Sequence, residues 1–491
     1  LVTFLQIPNN RKVPAVLTEF ATSSVQQGAS IQPYKLLILG QKLAAGTGAV
    51  ETPFLITSLS QAKQLFGLNS DLAIMIESAL LNNNVTEMTA ISVADGGGAS
   101  AAGVLTVATG TATENGEVIL YVAGRRIVTI VSIGDDQDAV ASAITAAITA
   151  FIDEQVPVVA SAGASPNLVD IDSRHAGLTG NTINLRFNYL PGEKFPDGIV
   201  VTVSTPMAGG TTNPSLTNLI AAMANEQYNI IAMPWTDASS LSAMEAELKT
   251  RFGPLVELEG MVFVSEDDTV TNLKTLGNSR NSQFVSVVES KDSPSMPLER
   301  AAGVAGIVAK SAQNDPGLPF QNTVILGIRP PALIDQITAN NRDLLLNNGI
   351  ATTKTVGNNV LVERLVTTRE EDDLGNPDDS FLDSNVFLIL SFFRFDTRTA
   401  LSNRFPNFKL AKNGTRIAFG SRVVTPDIVK AEILTRARIW LDLGLLEDIE
   451  QFKADLFSEI SITDPNRVDV LAIPNLINQL RIIAVKFDFI R

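Results

Sequence analysis

Three groups of residues have types and spacings that could do chemistry. Gly40, Gly46 and Gly48 follow an apolar run of strand length, where a dinucleotide-binding fingerprint would place its glycines. The position of the third glycine is Glu51 and no helix is predicted to open there, so a pyrophosphate would meet neither a helix N-terminus nor a close backbone. No G-x-x-x-x-G-K-[ST] sequence is present, which removes a P-loop. Ser60 and Lys63 fit the S-x-x-K spacing of serine acyl enzymes, but K-T-G, S-D-N and G-x-S-x-G are all missing. A helix cap followed by an exposed lysine accounts for that pair. Glu370, Glu371, Asp372, Asp373, Asp378 and Asp379 could attract Ca²⁺, yet they lack the alternation of ligand and spacer of an EF-hand and read as a solvated loop.

His175, the one histidine, lies among turn residues in SRHAGLTGN and is expected at the surface. Trp235 and Trp440 read as core residues. With a single His, a His-ligated metal site or an imidazole-relayed triad is very hard to build, and the absence of Cys excludes disulfides and thiolate nucleophiles. Nothing joins nucleophile, base and oxyanion donor, so the sequence argues against an enzyme, and no cofactor or metal is expected.

Composition narrows the field further. The 491 residues hold 37 Lys and Arg against 52 Asp and Glu, a net charge of −15, which disfavours coating nucleic acid or an anionic membrane. No apolar run reaches the roughly 18 residues needed to span a bilayer. The opening LVTFLQIPNNRK lacks the order of a secretory signal and reads as mature protein.

The elements that would position any site alternate between strand and helix. YKLLILG (Tyr34 to Gly40) and TAISVA (Thr89 to Ala94) have strand length, and between them Leu72, Met75, Ile76, Ala79 and Leu80 share a helical face behind a Ser70 cap. The alternation resumes with helices over 214–225, 240–252 and 270–276 and strands over 228–234, 261–265 and 284–288. This predicts a layered, largely parallel α/β core. DGGGASAAG and MAGGTTNPS bracket a segment of different character, with EVILYV and RIVTIVSI flanking Ala123-Gly124 and one helix carrying Val140, Ile144, Ile148 and Phe151.

The organisation expected is therefore an N-terminal arm (1–30), an α/β core (31–95 and 212–330), an inserted β-rich α+β domain (96–211), a C-terminal domain (331–479) and a C-terminal strand (480–491). In the C-terminal domain Thr425, Pro426, Asp427 and Gly444 mark the start and stop of a helix, with a second helix expected over 446–457. Phe4, Leu5 and Ile7 at one end, and Ile483, Val485, Phe487 and Phe489 at the other, are apolar and β-prone where a monomer frays. A hydrophobic strand at a chain end needs a partner, and donation to a neighbour's sheet edge supplies one. Head-to-tail links that do not close generate a helical filament or tube.

RKVPAVLTEF followed by PYKLLILGQ, then LFGLNSDLAIMIESALLNN and TAISVAD, then VFLILSFFRFDTRTALSNRFPNFKL through VVTPDIVKAEILTRARIWLDLGLLED, carry a resemblance over nearly the whole chain. In order and spacing they resemble the tail sheath proteins of contractile-tailed bacteriophages, Mu-like branch. The resemblance implies stacked hexameric rings of neighbouring sheath subunits around an inner tail tube protein, with baseplate and tail terminator proteins as further partners. It implies terminal arms that complete a neighbour's sheet, an outer position for the insert, and contraction that drives the tube through the host envelope without nucleotide hydrolysis. Location in the virion tail after assembly in the host cytoplasm goes with it, with no nucleic acid bound and no membrane insertion. The sequence opens on Leu rather than Met, so initial residues of the arm are expected to be missing. The family's tube-facing helices suggest Lys430, Arg436, Arg438 and Lys453 as contacts to an acidic tube, with Val429, Ile433, Ala437 and Trp440 facing inward. A type VI secretion-like or other contractile injection sheath, a capsid or adhesin protein, and a Rossmann-like enzyme are the alternatives.

Overall fold

The computed structural model describes residues 32–151 and 154–490. They divide into two compact units, residues 32–393 with 478–490, and residues 394–477.

The first unit is built on β1 (Lys35–Gln41), β2 (Pro53–Ile56) and β3 (Glu87–Val93). Between them lie α1 (Leu59–Phe66) and α2 (Asp71–Asn82), capped by Ser58 and Ser70 through the amides of Gln61 and Ala73. Ser60 therefore sits inside α1 rather than capping it, and Lys63 is half-buried. Leu36 to Leu39 are all fully buried, the unbroken apolar run expected of a strand covered on both faces.

The chain then leaves the sheet for the inserted segment. Here β4 (Ser100–Val107), β5 (Gly116–Val122), β6 (Arg125–Val131), β7 (Val158–Ala162), β8 (Leu168–Ala176), β9 (Leu185–Phe187) and β10 (Val201–Ala208) form a four-stranded sheet, β10-β4-β8-β7, and a three-stranded one, β6-β5-β9. Ala123 and Gly124 join β5 to β6 with φ of +49° and +76°, the left-handed pair that a two-residue hairpin turn requires. Helix α3 (Gln137–Ala150) buries Val140, Ile144 and Ile148. The segment's two ends meet: the Thr211 amide donates to the Ala99 carbonyl at 3.1 Å.

After α4 (Thr217–Ala222) the chain returns through β11 (Ile230–Ala232), α5 (Ala238–Phe252), β12 (Met261–Glu266), α6 (Val270–Asn278), β13 (Val285–Glu289), α7 (Pro297–Asn314), α8 (Ala339–Leu346), β14 (Ile350–Val356) and β15 (Asn359–Arg364). The sheet reads β15-β14-β13-β12-β11-β1-β3-β2, parallel from β14 to β3 with an antiparallel strand on each edge. This mixed α/β architecture is the class read from the sequence. The sheet runs on through Arg364, past the boundary expected at residue 330, because Val287 and Val288 pair with Ile350 and Ala351. The stretch after the acidic loop is a helix, α9 (Ser384–Arg404), and the boundary between the units falls inside it.

The second unit holds β16 (Lys409–Leu410), β17 (Val423–Val424), α10 (Pro426–Asp442), β18 (Leu446–Glu447), α11 (Ile449–Asp455), β19 (Phe457–Ile460), β20 (Val468–Leu471) and β21 (Asn475–Leu476). Pro426 opens α10 at its first position, and Gly444 ends it with φ of +69°. The helix expected over 446–457 is shorter, because Leu446 and Glu447 pair with Leu476 and Asn475 and Phe457 pairs with Leu471. The sheets of this unit, β16-β17, β18-β21 and β19-β20, are all two-stranded.

Candidate functional site

In a doubly wound sheet, ligands bind beyond the carboxyl ends of the strands, where the chain changes direction across the sheet. Here β1 lies between β3 and β11, and at its end Gln41 Nε2 donates to the Ala176 carbonyl of the insert at 2.7 Å. His175, at the end of β8, is buried rather than exposed. The amide of Asp71, the first residue of α2, donates to its Nε2 at 3.2 Å, so the neutral ring carries its proton on Nδ1 and donates to Asp95 Oδ1 at 2.6 Å. Thr179 Oγ1 donates to Asp71 Oδ2 at 2.9 Å, Gln41 Nε2 to Asp95 Oδ1 at 2.8 Å, and the Asn69 amide to Gln155 Oε1 at 2.8 Å. The helix N-terminus that could have held a phosphate is thus satisfied from within the chain.

These groups perturb one another. Burial works against the imidazolium of His175, but the charge of Asp71 and the hydrogen bond to Asp95 outweigh it and raise its pKa above the ordinary value. Burial raises Asp71, whereas for Asp95 it is outweighed by His175, which holds the carboxyl low.

The neighbouring cavity, about 470 Å³ beyond β11 and β12, is lined by Asp237, Glu266, Asp267 and Asp268. Burial pushes Asp267 up to about 6. A cavity so lined repels phosphates. The three glycines have packing duties: a Cβ on Gly40 would meet Leu72 Cα at 3.1 Å, and one on Gly46 would meet the Leu65 carbonyl oxygen at 2.5 Å. Among the described residues no group of three or more His, Asp or Glu is arranged to hold a metal ion, and no helix is long and apolar enough to cross a membrane.

The C-terminal arm presents the opposite picture. From Asn478 to Ile490 it belongs to no strand, and Ile482, Ile483, Val485, Phe487 and Phe489 are 84, 74, 66, 88 and 81% exposed. Both sides of the alternation lie open, and the strand expected over 480–491 has no partner among the described residues. The arm is nonetheless fixed at its root. Gln479 Nε2 donates to the Gly317 carbonyl at 3.1 Å, Gln321 Nε2 to that of Leu480 at 3.2 Å, and Arg481 Nη2 to Asp383 Oδ1 at 2.9 Å. Arg364 holds Asp383 through both oxygens, each at 2.9 Å. This anchor has no sequence signature, since the residues that hold the arm lie 98 or more residues from their partners in it. Phe4, Leu5 and Ile7 lie outside the described residues.

The four suggested tube contacts separate. Lys430, Arg438 and Lys453 reach the surface, with Lys453 within 3.7 Å of Glu450. Arg436 does not. It is 2% exposed, and its guanidinium grips Asp396 through Nε at 2.9 Å and through Nη2, while Trp440 Nε1 donates to the same carboxylate at 2.8 Å. Arg436 lies on the same face as Val429, Ile433 and Trp440, so helical spacing alone buries it. It forms a buried ion pair.

The end of β1 is covered from within the chain, and the C-terminal arm is anchored at its root and unpartnered among the described residues. Residues 209–368 match the phage tail sheath protein central domain and residues 376–490 the phage tail sheath C-terminal domain. The Mu-like prophage FluMu tail sheath protein of Haemophilus influenzae is 35% identical, covering 100% of this chain and 99% of that protein. The crystal structure of a sheath tail protein from Desulfitobacterium hafniense has a TM-score of 0.49 at 12% identity, covering 94% of this chain and 100% of that one. The helical sheath of the anti-feeding prophage in its contracted state gives 0.49 at 12%, covering 97% and 99%. The chain belongs to the phage tail sheath family and is a structural subunit of a contractile tail sheath.

Proposed function

We propose that the subunit polymerises as stacked hexameric rings around an inner tail tube protein, with baseplate and tail terminator proteins at the ends, and that the arm beyond Arg481 joins a neighbour's sheet. The observation that carries this reading is the arm: four β-prone apolar side chains, Ile483, Val485, Phe487 and Phe489, exposed on an extended segment whose root is held by Asp383. Burial of each is worth roughly 1.5–3 kcal/mol, an upper bound before the arm's ordering entropy is charged against it. A two-stranded sheet is marginal by itself, so the small sheets of residues 394–477 gain from a third strand. Contraction then works by repacking between subunits that remain linked, and needs no catalytic residue. Assembly in the host cytoplasm and an outer position for residues 96–211 complete the reading.

The test is negative-stain microscopy of the concentrated chain and of a variant ending at Arg481. The full chain is expected to form hollow tubes and the truncated one to remain dispersed with unchanged unfolding. Normal tubes from the truncated chain refute the donated arm.

A further inference from the structure

Charge is distributed unevenly along this chain. Overall it stands at −15, yet residues 394–477 hold twelve Lys and Arg against eleven Asp and Glu. Between Asp396 and Asp427 there are six cations, Arg398, Arg404, Lys409, Lys412, Arg416 and Arg422, and no carboxylate at all. All six are exposed. Lys409, Lys412, Arg416 and Arg422 make no ion pair among the described residues.

Local structure holds this strap in a definite form. Lys409 and Leu410 pair with Val423 and Val424, the Thr415 amide donates to Lys412 at 3.2 Å, and the Ser421 amide donates to Ala418 at 3.1 Å. Asn413 Oδ1 accepts the Asp427 amide at 3.1 Å, tying the strap to the start of α10. The second turn, with Gly420 at φ of +78°, puts Phe419 98% in solvent. An aromatic ring so exposed at the tip of an ordered turn, surrounded by unpaired cations, has the composition of an interface anchor.

The first unit carries a segment of the opposite sign. The finger from Glu370 to Asp379 folds back on itself, with the Asp372 amide donating to Asn376 at 2.8 Å and the Gly375 amide to Asp372 at 3.1 Å. Asn281 Oδ1 accepts the amides of Glu370 and Glu371, fixing its base. At its tip Leu374 is 87% exposed between Asp373 and Gly375, and Asp373 and Asp379 are exposed and make no ion pair among the described residues. Each partner thus offers one apolar tip beside like charges, of which Asp373 and Asp379 on the finger and Lys412, Arg416 and Arg422 on the strap make no ion pair among the described residues, on a backbone that needs little further ordering.

We propose that the basic strap Arg404–Arg422 of one subunit docks on the acidic finger Glu370–Asp379 of a second copy of this chain, with Phe419 and Leu374 at the centre. The inference rests on the reading that the chain assembles with itself, and adds a contact separate from the arm. Charge complementarity selects a second copy, since the finger supplies the carboxylates that the strap lacks and each copy carries both halves. The contact links subunits head to tail, and being exposed and ionic it weakens as salt shortens the screening length from about 10 Å at 0.1 M to about 3 Å at 1 M.

The chain contains no Cys, so single cysteines report contacts without background. A size-tagged chain carrying Arg416→Cys is mixed with an untagged chain carrying Asp373→Cys and mildly oxidised, and Lys412→Cys with Asp379→Cys serves as a second pair. The control pairs Arg416→Cys with Lys194→Cys, which is exposed on the insert. At 50 mM salt the mixed dimer is expected at least tenfold above control, falling severalfold at 1 M. Lys412→Glu/Arg416→Glu is expected to abolish association with the wild-type finger and to recover it with a chain carrying Asp373→Lys/Asp379→Lys. Yields at the control level for both cysteine pairs overturn the proposal, as does failure of the swapped charges to restore association. Cross-linking is read on subunits in solution, so its failure while tubes still form removes this contact and leaves the arm intact. Loss of tube binding without any cross-link would hand the strap to the tube protein and likewise overturn it.

Discussion

Strand β1 and the C-terminal arm are made of the same kind of sequence and end in opposite states. KLLILGQ buries Leu36 to Leu39 completely, whereas in RIIAVKFDFI Phe487 and Phe489 are more than four-fifths exposed. The difference lies in what surrounds them. β1 has a parallel neighbour on each side and helices over its faces, while among the described residues the arm is held to the rest of its unit at its root. Apolar character and β-propensity say that a segment will pair, and leave open with which chain.

Paired truncations sharpen that contrast. Phe263→Ala, in β12, is expected to cost about 3–5 kcal/mol in urea unfolding, and Phe487→Ala less than about 0.5 kcal/mol. Assembly should reverse the order, with Phe487→Ala the more damaging among molecules that remain folded. Equal losses in the isolated subunit would mean that the arm packs at home.

The second comparison lies within α10. Arg436→Met removes the guanidinium that grips the buried carboxylate of Asp396 and is expected to cost about 3–5 kcal/mol. Arg438→Met, one turn face away and exposed, is expected to stay within about 0.5 kcal/mol. A mild effect for Arg436→Met in thermal and urea unfolding would return that residue to the list of surface contacts.

These cases show what was legible. Helical and strand periods located α2, α5, α6, α10 and the parallel strands, because a buried face imposes its period on the residues that cover it. The hairpin at Ala123-Gly124 and the stop at Gly444 were legible because positive φ restricts residue choice. The end of the sheet was not: β14 follows α8 and joins β13 only through pairing across distant sequence, and β15 then pairs with β14. His175 misled for the same reason. Its turn-like surroundings are real, but Asp71 and Asp95, which bind it, lie 104 and 80 residues away. The candidate arm was legible as apolar alternation, and its anchor at Asp383 and Arg364 was invisible.

A smaller effect is expected at the anchor. Arg481→Ala removes a charged hydrogen bond from a partly exposed carboxylate already held by Arg364, so about 1 kcal/mol or less should appear in subunit stability. Tube formation should suffer more, because the arm then leaves from an unfixed root. A change confined to stability would make the anchor a local contact only.

The smallest effect is the titration of the one histidine. Its pKa in the folded chain is raised, so protonation stabilises the docked insert; that contribution is complete below the ordinary value of about 6.5 and is lost as pH rises through the folded value. The single imidazole resonance should titrate with a midpoint above about 6.5, and His175→Gln should flatten the pH dependence of unfolding in that window. A midpoint below the ordinary value would show that burial dominates at this seam.

Amide hydrogen exchange of residues 483–490, compared between dispersed subunits and assembled tubes, tests the donated arm most directly. Backbone amides of a free extended arm exchange at rates close to those of an unstructured chain, whereas ladder amides open only when the sheet does. The account predicts fast exchange in the subunit and slowing by about a thousandfold or more in tubes, strongest at alternate amides as a strand edge requires. Fast exchange persisting in well-formed tubes would contradict it.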